Sequence, residues 1–197
     1  MQRKPKLTWG DATERSVSEI VGEDGILHSG DILSIVEQLC LLLDRRHPKD
    51  PGGQRVCVHP DNIVVDMNGD VRLEDQNLSL SIVDAYLPPE LGRAGLASPD
   101  AQVYALGMLM LYMATGQERK AEADAAVGDR SLLTLIERCT AFDPKERFRD
   151  IGDLLEAIKR ERRVWRKALS ASLATIGVCL LAGALFFLWR EGASRGG

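Results

Sequence analysis

The chain has 197 residues, 45% hydrophobic and 27% charged, with Gly 18 and Pro 8. That is one globular domain of about 100 to 150 residues with a modest remainder, which excludes a large multidomain enzyme and a disordered chain. The net charge of -4 conceals an asymmetry, since residues 1–158 hold 17 Lys plus Arg against 27 Asp plus Glu and residues 159–197 hold 8 against 2. An acidic body with a basic end argues against a nucleic-acid binder, whose phosphate contacts need a basic face on the folded domain.

Residues 1–15 are polar, basic at first and without periodicity, and are expected to form a flexible arm. Val17, Ile20 and Val21 mark a short helix that Gly22 is expected to end. After Ser29, the residues Ile32, Ile35, Val36, Leu39, Leu42 and Leu43 recur at helical spacing as far as Arg46, and His47-Pro48 closes the run. Val56 to Val58 and Ile63 to Val65 are short and β-branched, and Asp66-Met67-Asn68-Gly69-Asp70 signals a hairpin leading into Val71-Arg72-Leu73.

Ser98 as cap and Pro99 at the first helical position open a helix through Val103, Leu106, Leu109, Met110 and Met113, which stops before Gly116. Tyr104, Ala105, Gly107 and Met108 fill its other faces, so it is apolar all round and predicts a buried central helix. Two more helices are expected, from Ser131 to Thr140 and from Arg149 onward, the second on the stripe Ile151, Leu154, Leu155, Ile158. The four cysteines, Cys40, Cys57, Cys139 and Cys179, are scattered and signal neither a disulfide framework nor a zinc site. Cys40 and Cys139 read as small core hydrophobes in a reducing compartment.

Residues 168–189 contain no charge, and as a helix rising about 1.5 Å per residue they match the roughly 30 Å hydrocarbon layer. A single transmembrane helix is expected there. Lys159, Arg160, Arg162, Arg163, Arg166 and Lys167 precede the span, only Arg190 and Arg195 follow it, and the excess of positive charge places the N-terminal domain in the cytoplasm. Trp165 and Trp189 stand near the two boundaries, where an indole buries its ring and keeps its N–H wet. The basic segment 159–167 is expected to meet anionic lipid headgroups, and residues 190–197 form a short polar tail, as in a tail-anchored protein. Within the span, Ala171, Thr175, Cys179 and Gly183 fall four apart, a ridge of small residues through which two copies can form a homodimer.

Five motifs, in order, carry a resemblance to a known family. His59-Pro60-Asp61-Asn62-Ile63-Val64-Val65 resembles the end of the protein-kinase catalytic loop, usually Lys-Pro-Glu-Asn-Ile-Leu-Val. Asp66 to Asp75 resembles the hairpin leading to the metal-binding Asp of Asp-Phe-Gly, and Tyr86-Leu87-Pro88-Pro89-Glu90 resembles the Ala-Pro-Glu end of the activation segment. Val103-Tyr104-Ala105-Leu106-Gly107 resembles the central helix, and Asp143-Pro144-Lys145-Glu146-Arg147 the Asp-Pro-x-x-Arg motif. Residues 16–160 thus resemble the C-terminal lobe of protein kinases, and, as a C-lobe without its N-lobe, the KIND domain (kinase non-catalytic C-lobe domain), whose known members bind other proteins.

The resemblance implies a mainly α, kinase C-lobe-like helical domain with a small β-hairpin element. It also implies a structural ion pair between Glu90 and Arg147. Phosphoryl transfer needs a phosphate-covering loop, a strand Lys, two metal sites and an Asp that accepts the hydroxyl proton. Only about 55 residues precede the loop motif, too few for an N-lobe. Cys57 stands at the catalytic Asp position, mostly neutral at an ordinary thiol pKa of about 8.5. Gln102 replaces the Asp that ties the loop down, and Asp75-Gln76-Asn77 replaces Asp-Phe-Gly. Asn62 and Asp75 are vestiges of the metal site, and no cofactor and no metal are expected. The expected function is a catalytically inactive, membrane-tethered protein-interaction module or adaptor, a pseudokinase. The other readings are one half of a split kinase whose N-lobe comes from a separate chain, and a constitutive scaffold of a membrane complex.

Overall fold

The computed structural model describes residues 13–46, 58–74, 84–90, 99–118 and 127–164. The chain divides into two compact units, Met1–Lys159 and Arg160–Gly197. Among the described residues the first holds three short strands, β1 (Glu14–Ser16), β2 (Ile63–Asp66) and β3 (Val71–Leu73), in one antiparallel sheet of that order. The helices among the described residues are α1 (Val17–Asp24), α2 (Ser29–Arg46), α3 (Pro99–Thr115), α4 (Arg130–Cys139) and α5, residues 151–164.

The sheet has one strand more than the expected hairpin. Glu14, Arg15 and Ser16 pair with Asp66, Val65 and Val64, so the end of the expected flexible arm is structured. Arg15 is 6% exposed, and its guanidinium donates to Asp24 at 2.9 Å, Glu23 at 2.8 Å and the Glu19 carbonyl at 3.1 Å. A buried cation that finds two carboxylates at the last turn of a helix and a carbonyl from its first turn is held there by charge-assisted hydrogen bonds. The strand is therefore kept by partners distant in sequence, not by an apolar alternation of its own.

Ser16 also caps α1. Its hydroxyl accepts from the Glu19 N–H at 3.2 Å while the Glu19 carboxylate accepts from the Ser16 N–H at 2.7 Å, a reciprocal capping box. The helix runs through Gly22, where sequence reading placed its end, and stops at Gly25. A helical Gly costs only about 1 kcal/mol against Ala and does not by itself break the turn. Gly25, at φ 86° and ψ -163°, takes an extended positive-φ conformation, open chiefly to glycine, that does, and its N–H returns to the Val21 carbonyl at 3.2 Å.

The β2–β3 turn closes as the sequence predicts. The Asp66 carboxylate accepts from the Asn68 and Asp70 N–H groups at 2.7 and 2.9 Å, and Gly69 takes φ 79°. Gln38 of α2 then fastens the hairpin, its Nε2 donating to the Gly69 carbonyl at 2.9 Å and its Oε1 accepting from the Val71 N–H at 3.1 Å. Gln38→Ala is expected to cost about 1 to 2 kcal/mol through these two bonds. Hydrogen exchange at the Val71 amide should accelerate in step; unchanged protection there would contradict the clamp.

Around α3 lies the core. Val103, Leu106, Leu109, Met110, Leu111 and Met113 are each 0% exposed, as expected of a helix apolar on every face. It packs against α2 and α4. Cys40 of α2 and Cys139 of α4 are free and buried, and burial pushes the Cys40 thiol up to about 12 and the Cys139 thiol further up. Both are inert, apolar filling at neutral pH. Ile151, Leu154, Leu155 and Ile158 of α5 join the same core, as their spacing predicts. Val58 is buried but lies outside any strand, while Val56 and Cys57 lie outside the described residues, as does Ser98. Among the described residues no helix is long and apolar enough to cross a membrane. The expected span 168–189 lies outside them.

Candidate functional site

The stretch that resembles the catalytic loop enters β2 through a 3-10 turn, Pro60–Asn62. Proline at the first position fixes φ and removes a donor that the turn has no use for. The remaining polar groups close on one another. The Asn62 side-chain oxygen accepts from the His59 N–H at 3.0 Å, and His59 Nδ1 accepts from the Asp61 N–H at 3.2 Å. The Asn62 carbonyl accepts from the Glu74 N–H at 2.8 Å, which joins the turn to the end of β3.

Asn62 is 1% exposed and His59 2%. The Tyr86 ring, itself 1% exposed, packs edge-on against the imidazole at a centroid distance of 4.8 Å and an interplanar angle of 68°. So His59 lies under an aromatic lid supplied by the segment that resembles the end of an activation loop.

The second feature is the ion pair. Arg147 Nη1 and Nη2 donate to the two Glu90 carboxylate oxygens at 2.6 and 2.9 Å. Arg147 Nε donates to the Ala141 carbonyl at 2.8 Å, and Nη2 also to the Phe142 carbonyl at 3.3 Å. Its guanidinium carbon lies 5.1 Å from the centre of the Tyr104 ring on α3. One guanidinium thus ties the Glu90 segment, α3 and the corner after α4 together. The pair is buried at one end only, with 0% of the Arg147 side chain exposed and 31% of that of Glu90. The Arg147 hydrogen bonds hold the Glu90 carboxyl below its ordinary range, against a smaller opposing effect of burial.

Of the residues singled out from sequence, the structure brings Glu90 and Arg147 together, and the Asn62 side-chain oxygen accepts from the His59 N–H of its own turn. Gln102 is half-buried on α3. Arg160 and Arg163 are exposed, and Lys159 and Arg162 are half-buried. Cys57, Asp75, Trp165, Arg166, Lys167, Ala171, Thr175, Cys179, Gly183 and Trp189 lie outside the described residues. Among the described residues no group of three or more His, Cys, Asp and Glu side chains is arranged to hold a metal ion. Sequence reading missed Tyr86 as the cover of His59 and Tyr104 as the ring beside Arg147. Nothing local in the sequence signals either contact.

No family model matches the chain. Among curated proteins it is similar to the serine/threonine-protein kinase PrkC of Bacillus subtilis, 25% identical over 180 residues. The chain is kinase-like. The likeness covers 73% of this chain but only 27% of PrkC, so the chain spans about a quarter of its relative's length.

Proposed function

We propose that residues 16–160 form a catalytically inactive kinase C-lobe of the KIND kind, which acts as a protein-interaction module or adaptor tethered to a membrane by residues 168–189. The observation that carries the reading is the use made of the loop between Val58 and Ile63. His59 and Asn62 are buried and bonded within their own turn, and Tyr86 covers the imidazole. Cys57 supplies no carboxylate at the base position, and Gln102 no negative charge to hold the loop. By contrast, the Glu90–Arg147 pair, which serves folding, is fully built. Parts that hold a kinase C-lobe together are retained, while the proton-accepting Asp has been replaced.

The tether reading rests on the uncharged run 168–189 and on the basic residues before it, Lys159, Arg160, Arg162, Arg163, Arg166 and Lys167. They face the cytoplasmic leaflet and draw on its anionic headgroups, at about 1 kcal/mol per basic residue near the surface.

Two measurements test the proposal. The full chain in lipid nanodiscs, given magnesium and ATP, is expected to transfer no phosphate to itself or to a general protein substrate. Transfer that disappears in Asp75→Ala would overturn inactivity. Expressed in cells, the full chain is expected to stay with membranes through alkaline carbonate extraction, whereas a chain carrying Leu→Arg changes at Leu180 and Leu181 is released. Release of both chains alike would overturn the tether.

A further inference from the structure

We draw no further inference here: the strongest candidate, the surface patch at the corner after α4 where Phe142 stands 85% exposed beside the Arg147–Glu90 pair, carries nothing, because nothing in the structure shows what covers this single ring among neighbouring charges of both signs.

Discussion

Glu90→Ala is expected to lower the stability of the domain at neutral pH by about 2 to 3 kcal/mol, somewhat less than the roughly 3 to 5 kcal/mol of a pair buried at both ends. The cost falls on the partner. Arg147, with 0% of its side chain exposed, would keep its bonds to the Ala141 and Phe142 carbonyls but lose the carboxylate that neutralises it. Glu90→Gln, which keeps the shape and one acceptor but no charge, should fall between the two. Arg147→Lys should cost as much as Glu90→Ala, since an ammonium cannot donate in a fork to two carboxylate oxygens while also reaching two carbonyls. Urea unfolding of the full chain in mild detergent measures all three. Midpoints within about 0.5 kcal/mol of the wild type, the scatter of ordinary surface substitutions, would show that the pair is not structural.

The same pair gives a pH dependence of known sign. Because the Glu90 carboxyl is held below its ordinary value of 4.5 in the folded chain, its contribution is complete above that value and is lost as the pH falls through the lower, folded value. The stability gap between wild type and Glu90→Ala should therefore be constant from pH 7 to about pH 5.5 and close on further acidification. Comparing the two proteins removes the contributions of all other carboxylates.

Much of the helical frame was legible because its signals are local. The stripe Ile32, Ile35, Val36, Leu39 of α2 and the all-round apolarity of α3 state their own burial, and the turn Asp66–Asp70 states its own closure. What escaped reading depends on partners far along the chain. Glu14-Arg15-Ser16 is polar throughout and becomes a strand only because Asp66, Val65 and Val64 pair with it and α1 supplies the carboxylates for Arg15. Gln38 looks like one more polar helix residue until the hairpin arrives beneath it. The site divides in the same way. Glu90 and Arg147 are 57 residues apart, and only the resemblance to kinases joined them; no spacing rule reaches that far. Burial of the Arg147 end alone is a property of the packing, which the motif does not contain.

The other large effect is expected at Gly107. Sequence reading placed it with Tyr104, Ala105 and Met108 among the residues that fill the other faces of the central helix, but the structure gives it a specific task. A Cβ built there would stand 2.5 Å from Cys139 Cβ and 2.8 Å from Thr140 Cγ2. Carbon atoms do not approach so closely, and Cys139 Cβ is fixed to the α4 backbone, so α3 and α4 would have to separate. Overpacking of this kind costs typically about 1 to 3 kcal/mol, and the rigid neighbour puts Gly107→Ala at the upper end. The better helix propensity of Ala returns up to about 1 kcal/mol, so a net loss of about 2 kcal/mol is expected, rising in Gly107→Val. Because that propensity gain has the opposite sign, a stabilised Gly107→Ala would show that the two helices do not meet here. Thr140→Ser removes the second clashing carbon and keeps the hydroxyl that donates to the Ile136 carbonyl at 2.8 Å. Combined with Cys139→Gly, it clears the space above Gly107. In that background Gly107→Ala should cost nothing or stabilise slightly, a coupling of about 2 kcal/mol between neighbours that a double-mutant cycle reads directly. Additive losses would place the cost in α3 alone. A domain built around a central helix thus depends, at one turn, on having no side chain at all.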